Sequence, residues 1–175
     1  MKILILGLGN DLLGDDGIGL LTVRALREEL GGSEGIELVE SSLSGLALLD
    51  LLIGYDRAIL IDAVQTGRAP PGTIWRWRAE ELGSVRAPSP HYAGLPELLA
   101  IARALRLPFP EQIEIYAVEV ADPRTIGGAL TPAVRQALPE LVRQIRERVR
   151  KSLSVDAIPE GQPGKSQAGR TIEDG

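Results

Sequence analysis

The sequence predicts a single-domain α/β protein with three layers, in which helices cover both faces of a mostly parallel, twisted sheet. Three observations lead to this prediction. Short apolar segments alternate along the chain with segments of helical periodicity. Most of the apolar segments are hydrophobic on both faces, as strands inside a parallel sheet are. The 175 residues, of which 44% are hydrophobic, suit one domain with a sizeable core.

The first half of the chain contains three predicted strands and two predicted helices. Residues 2–6 (KILIL) form a short apolar strand that ends at a glycine. Apolar residues at helical spacing predict a helix over residues 18–30, and two consecutive glycines supply its stop. We expect a second strand over residues 36–39, a second helix over residues 45–53 and a third strand over residues 57–64.

The second half begins with a segment of different character. Residues 72–78 (GTIWRWR) alternate aromatic and cationic side chains, which suits a strand near a sheet edge with one solvated face. A long amphipathic helix completes the domain, which spans residues 1–151, and Pro139 should bend or break this helix. The polar residues 152–175 are expected to be a mostly disordered tail. The elements expected before that helix are a loop over residues 84–90, a helix over 94–105 and a strand over 112–118, and the helix itself spans 131–151.

Composition excludes several classes of function. The chain has no cysteine, which excludes disulfides, thiolate metal sites and thiol catalysis. Its net charge of −5 gives no general attraction to nucleic acid or to an anionic membrane. No stretch approaches the roughly 20 apolar residues that span a bilayer, and the short apolar start is followed at once by acidic residues, unlike a signal peptide. We therefore expect a cytoplasmic, soluble protein.

Side chains that can bind a metal are predicted to converge at one edge of the sheet. Asp15 and Asp16 follow the first strand through a glycine-rich turn, and Asp62 closes the third strand. His91, the only histidine, lies in the loop before the third helix. Ligands of open parallel sheets bind outside the carboxyl ends of the strands, where these residues are expected to lie. Two carboxylates and an imidazole suit a borderline metal such as nickel or zinc, with positions left open for substrate.

Each of these residues also has a structural interpretation. Asp15 or Asp16 can cap the first helix, where a carboxylate satisfies free backbone amides, while the other points into the crevice. Asp62 can hold a neighbouring loop by hydrogen bonds, and a lone loop histidine such as His91 is often an ordinary surface residue. The spacing of these residues does not by itself decide between the two interpretations.

A nucleotide site at the first turn is disfavoured. Residues 7–12 (GLGNDL) resemble the start of a dinucleotide-binding fingerprint, but Leu12 stands where the third glycine belongs. Asp11, Asp15 and Asp16 also crowd the place where a pyrophosphate needs neutral or positive surroundings. The glycines more simply let the backbone turn tightly beneath the acidic residues.

Several segments together resemble one known family. They are residues 3–10 (ILILGLGN), 12–19 (LLGDDGIG), 61–63 (IDA), 89–91 (SPH), 94–99 (GLPELL) and 127–132 (GGALTP). In order and spacing they are similar to the motifs of hydrogenase maturation endopeptidases, over about residues 1–150. Their combination is far more specific than any one of them.

The resemblance implies an endopeptidase that removes the C-terminal extension of a nickel-loaded [NiFe]-hydrogenase large-subunit precursor. It implies that Asp16, Asp62 and His91 are both the catalytic and the metal-recognising residues. No permanent cofactor is expected, because the nickel is presented by the substrate, although cadmium or zinc could take its place in crystals. The implied partner is the precursor, with neither nucleic acid nor membrane, and a monomer is expected.

Two departures from the family pattern bear on specificity. Several relatives have glutamate where this chain has Asp16, which keeps the charge but shortens its reach by one methylene. Residues 40–45 (ESSLSG) replace an Asp-Gly-Gly-Thr type of turn, which concerns substrate contacts more than the metal site. The sequence is also compatible with two other functions. They are a non-catalytic nickel- or nucleotide-binding accessory protein and a hydrolase with a resident zinc ion.

Overall fold

The elements alternate between strands and helices as the sequence predicts. The structure, a computed structural model, describes residues 1–84, 89, 91 and 95–155, so that most of the predicted loop 84–90 and nearly all of the predicted tail lie outside it. The strands are β1 (Ile3–Leu8), β2 (Ile36–Ser41), β3 (Arg57–Val64), β4 (Ile74–Arg78) and β5 (Gln112–Glu119), and the helices are α1 (Ile18–Leu30), α2 (Leu48–Leu52), α3 (Leu95–Ala104) and α4 (Pro132–Val155). Short 3₁₀ turns span Gly14–Gly17, Gly45–Ala47 and Ala79–Ser84.

The five strands form one sheet in the order β2-β1-β3-β5-β4. The first four strands of this order are mutually parallel, and β4 pairs antiparallel with β5, with Ile74 opposite Val118. The prediction that the aromatic and cationic strand lies at a sheet edge is therefore confirmed. The mostly parallel sheet of a single α/β domain is confirmed as well.

Successive strand residues point to opposite sides of the sheet, so both faces carry apolar side chains and helices pack against both. The side chains that pack against α1 and α4 include Ile3, Ile5, Ile59, Ile61, Tyr116 and Val118. Those that pack with α2 and α3 include Leu4, Leu6, Ala58, Leu60, Ile113 and Ile115. This alternation puts Asp62, two residues after Leu60, on the α2 and α3 side of the sheet.

Two glycines allow α1 to lie very close to the sheet. Added β-carbons at Gly7 or Gly19 would clash with backbone atoms, in the first case with the Gly19 carbonyl and in the second with the carbonyls of Leu8 and Ile61. The close approach holds the start of α1 against β1 and β3. The turn that precedes α1 is thereby fixed at the carboxyl ends of these strands.

Several predicted element bounds differ from the structure, and the larger differences concern α4 and α2. Helix α4 runs through Pro139 without a break, and it extends past the predicted end at residue 151 to Val155. Its buried apolar residues outweigh the one hydrogen bond that a proline removes. Strand β3 has the predicted bounds, but Asp62 lies two residues before its end and does not close it. The predicted helix over 45–53 is a 3₁₀ turn followed by the short α2.

Among the described residues, no helix is long and apolar enough to cross a membrane.

Candidate active site

Asp16 lies in the 3₁₀ turn Gly14–Gly17, which connects β1 to α1 at the carboxyl edge of the sheet. Its Oδ2 accepts a hydrogen bond of 2.8 Å from the backbone N–H of Asn10, and the residue is half-buried. Burial raises the pKa of the Asp16 carboxyl, and the Asn10 bond and the nearby charge of His91 partly oppose this. The side chain is thus held in place by the turn beneath it.

The neighbouring Asp15 has a structural role that differs from the predicted helix cap. Its fully buried carboxylate accepts backbone N–H groups of Ala121, Asp122 and Thr131 at 3.2, 3.0 and 2.7 Å, and the Thr131 hydroxyl at 2.9 Å. No side chain within the described part of the chain caps α1, so the cap prediction is wrong. Asp15 instead ties the first turn to the end of β5 and to the start of α4, and this leaves Asp16 to face the crevice.

Asp62 is fully buried on β3. Its Oδ2 accepts a hydrogen bond of 2.6 Å from the Ser89 hydroxyl, and its Oδ1 accepts one of 2.8 Å from the N–H of Ala63. Burial raises the pKa of Asp62 to about 7, and the charge of Asp16 adds to this rise. The electrostatic interaction with His91 and the hydrogen bonds from Ser89 and Ala63 lower the pKa of Asp62 and so act in the opposite direction.

The imidazole of His91 is oriented by the backbone. Its Nδ1 lies 2.9 Å from the carbonyl oxygen of Leu43, just beyond the end of β2. With Nδ1 donating to this carbonyl, Nε2 is the ring nitrogen left to bind a metal. The backbone N–H of His91 donates to the Ser89 hydroxyl oxygen at 3.2 Å. The lone histidine is therefore held in a defined orientation, unlike an ordinary surface residue.

Ser89 is a site residue that sequence reasoning missed. Its hydroxyl, which is almost fully buried, donates to Asp62 and accepts from the backbone of His91, so that one oxygen joins the two predicted ligands. The only signal available in the sequence is its place two residues before the histidine. Ser89 belongs to the segment 89–91 (SPH) that resembles a family motif, but the sequence alone assigns it no role.

The structure brings the three predicted metal-binding residues together. One ligand atom from each of Asp16, Asp62 and His91 lies within 4.8 Å of the others. A group of this size and composition could hold a metal ion, and three protein ligands would leave further coordination positions open. Beside them is a pocket of about 430 Å³, lined by Leu13, Asp16, Ser44, Ala63, Val64, Gln65, Ser89, His91, Val120, Pro123 and Arg124. A metal held at this edge of the sheet can therefore be reached from outside.

Comparison with known proteins identifies the family. A family model described as HycI, hydrogenase maturation protease, matches residues 20–148, about three quarters of the chain. The chain belongs to the hydrogenase maturation protease family. It is therefore a peptidase, as the motifs predict. The matched region of the family model includes Asp62 and His91 and begins just after Asp16.

Individual members of the hydrogenase maturation protease family agree in sequence and structure. The hydrogenase 2 maturation protease of Escherichia coli (strain K12) is 34% identical over 165 residues, which cover 91% of this chain and 96% of that protein. The hydrogenase maturating endopeptidase HybD from E. coli superposes with a TM-score of 0.74 at 29% identity, over 87% of this chain and 94% of that one. HybD from Thermococcus kodakarensis, a [NiFe] hydrogenase maturation protease, gives a TM-score of 0.64 at 27% identity, over 85% and 99% of the two chains.

Proposed function

We propose that this peptidase removes the C-terminal extension of a nickel-loaded precursor of a [NiFe]-hydrogenase large subunit, acting as a monomer in the cytoplasm. The observation that carries the proposal is the convergence of Asp16, Asp62 and His91 beside an open pocket. In a member of the hydrogenase maturation protease family, such a set of donors suits the recognition of a metal that the substrate brings. The proposal assigns both metal recognition and catalysis to these three residues.

The character of the donors supports a metal that arrives with the substrate. Three protein ligands leave part of the coordination sphere open, and ligands from the precursor would complete it. The raised pKa of Asp62 lets a proton compete with a metal at neutral pH, because only the ionised carboxylate is a good ligand. The metal-free chain would therefore hold an ion weakly, and no permanent cofactor is needed. Binding becomes strong only where the substrate adds its own donors.

Nickel placed in this way activates peptide hydrolysis. The metal polarises the scissile carbonyl or supplies a bound hydroxide. Water then adds to the carbonyl carbon, the C–N bond breaks, and a proton passes to the leaving amine. Asp16, Asp62 and His91 hold the metal beside the peptide, while Ser89 and the Leu43 carbonyl keep two of these ligands oriented.

The test is an incubation of the purified enzyme with the nickel-loaded large-subunit precursor, followed by intact-mass spectrometry. Nickel-free precursor is the matched substrate control. His91→Ala and Asp16→Asn test the ligands, and Asp50→Asn, an exposed carboxylate on α2, is the control substitution. We expect loss of a C-terminal peptide only with nickel present, in the wild type and in Asp50→Asn.

Three other results would contradict the proposal. Detectable binding of the precursor with an unchanged mass in every reaction would indicate an accessory protein that cuts nothing. A stoichiometric zinc ion in the purified wild-type chain, measured by elemental analysis and lost in His91→Ala, would indicate a hydrolase with a resident metal. Cleavage of the nickel-free precursor as fast as the nickel-loaded one would show that the enzyme does not recognise nickel.

A further inference from the structure

Four exposed apolar side chains lie on the loops that surround the pocket. Leu12 is 65% exposed, Leu43 44%, Leu46 72% and Ile126 83%. They follow the carboxyl ends of β1, β2 and β5, and we call them the apolar rim. In the described part of the chain eight large hydrophobic residues are exposed to this degree, so half of them lie at this one edge of the sheet. Exposed apolar groups concentrated in one place indicate a binding surface.

One half of the apolar rim is formed by the loops after β1 and β5. Leu13, which lines the pocket, pairs with Ile126 in an isolated antiparallel bridge. The N–H of Gly127 also donates to the carbonyl oxygen of Leu12 at 2.8 Å. Leu12 and Ile126 are thus carried on two loops that are bonded to each other beside the pocket.

The other half is formed by the loop after β2. The carbonyl of Leu43 is the hydrogen-bond partner of His91, so this residue adjoins the proposed metal ligands. Ser44 lines the pocket, and Leu46 follows two residues later. The three loops of the apolar rim therefore each contribute to the pocket and each expose a large apolar side chain.

We infer that the apolar rim is the docking surface for the folded precursor that carries the nickel. This inference rests on the proposed function and adds to it the surface that the partner contacts. A metal held inside another protein reaches Asp16 and His91 only if bonds of about 2 Å can form. At that distance the loops around the pocket lie against the precursor and lose their water. Apolar side chains at these positions gain from this, whereas charged ones would lose.

Two acidic side chains beside the apolar rim are paired with arginine within the chain, whereas Arg124, which lines the pocket, is exposed. Arg24 forms ion pairs with Asp11 at 2.7 Å and with Glu40 at 2.8 Å, and Asp11 directly precedes Leu12. Arg27 also pairs with Glu40, at 2.8 Å, so this cluster of two arginines and two acids has no net charge to offer a partner. The matching surface on the precursor is therefore mainly apolar and surrounds its metal site, instead of being a strongly charged patch.

The test measures binding of the purified nickel-loaded precursor to immobilised enzyme in a His91→Ala background, which slows cleavage. Leu12→Ser, Leu46→Ser and Ile126→Ser are compared singly and together. Leu105→Ser is the matched control, because Leu105 follows α3 away from the pocket and is also 65% exposed. Each substitution is of an exposed side chain, and thermal unfolding of each variant verifies that it folds. Cleavage by the same variants with His91 intact is recorded separately.

We expect the triple variant to bind about 100-fold more weakly and at least one single variant about ten-fold more weakly, with Leu105→Ser unchanged. Equal affinity of the rim variants and Leu105→Ser, or no binding of the precursor by any protein, would overturn the inference. A wild-type dimer in sedimentation that the rim variants dissociate would assign the surface to a second copy, and would also overturn it. Binding that depends on the rim without any cleavage would support the docking surface and reject the peptidase reaction.

Discussion

The Ser89 hydroxyl donates a hydrogen bond of 2.6 Å to the carboxylate of Asp62, and the same oxygen accepts the backbone N–H of His91 at 3.2 Å. A single buried hydroxyl thus sets the relative position of two proposed metal ligands from different parts of the chain. It also stabilises the ionised form of Asp62 against the effect of burial. Ser89 is therefore a positioning residue, with a role distinct from that of the ligands themselves.

Ser89→Ala is expected to lower the rate of precursor cleavage by about 10- to 100-fold, the usual effect of losing a group that orients a metal ligand. The pKa of Asp62 should rise, because a hydrogen bond to the charged form is lost. The low-pH limb of the activity profile should therefore move to higher pH. Steady-state rates across pH measure both effects. Ser154→Ala removes an exposed hydroxyl bond on α4 and serves as the control. A lower rate with an unmoved pH profile would argue against this role.

The burial of Asp62 should make folding stability depend on pH. Its pKa is 3.8 in the unfolded chain and about 7 in the folded one, so the folded state holds the proton more tightly. The resulting stability is fully present below about pH 4 and is lost as the pH rises through 7.

Asp62→Asn removes this titration, and its free energy of unfolding relative to the metal-free wild type should rise between pH 4 and 8. Chemical denaturation at several pH values measures the difference. Asp50→Asn, at an exposed position, should show a constant difference from the wild type over the same range. A difference between wild type and Asp62→Asn that does not change with pH would show that Asp62 is ionised throughout.

Substitutions of the two adjacent aspartates should have different effects on folding stability and on precursor cleavage. Asp15→Ala removes the acceptor of four hydrogen bonds in the interior and should lower the free energy of unfolding by about 3 kcal/mol. Asp16→Ala loses one hydrogen bond at a half-buried position and should cost about 1 kcal/mol while abolishing cleavage. Urea denaturation and the cleavage assay, run on both variants, test this. Equal losses of stability would contradict the assignment.

Gly9→Ala should damage both the fold and the site. Gly9 has φ +136°, and an added β-carbon would clash with the carbonyl oxygen of Asp16. Gly54→Ala is the control, because Gly54 also has a positive φ, at +90°, but no described atom lies within 4 Å of its added β-carbon. We expect Gly54→Ala to cost about 1 kcal/mol of stability and Gly9→Ala about 2 kcal/mol more, with loss of cleavage. Thermal unfolding and rates compare the two, and equal behaviour would exclude an effect through Asp16.

The parts of the fold that could be predicted are those with strong local signals. Helix α1 and strand β3 have the predicted bounds, since each combines a clear apolar pattern with clear ends. The convergence of Asp16, Asp62 and His91 was predictable because the carboxyl ends of parallel strands meet at one edge. The break predicted at Pro139 is absent, because its local cost is offset by the packing of a long amphipathic helix.

The parts that could not be predicted depend on contacts between distant residues. Asp15 bonds to groups 106 to 116 positions away, and no local pattern distinguishes it from Asp16. Ser89 acts through a residue 27 positions earlier in the chain. The Leu43 carbonyl has no signature at all, because every residue type carries the same group. These details of the site become visible only when the sheet has assembled.

The acceptor that orients the His91 ring belongs to the main chain, and this has a consequence for the divergence of such proteases. Any amino acid at position 43 would supply the same carbonyl oxygen, so the side chain of Leu43 can be exchanged while the imidazole keeps its tautomer. The backbone of residue 43 thus keeps its hydrogen bond to His91, while its exposed side chain is free to vary. Under the proposed function, substitutions at this position would adapt the same site to a different precursor without rebuilding it.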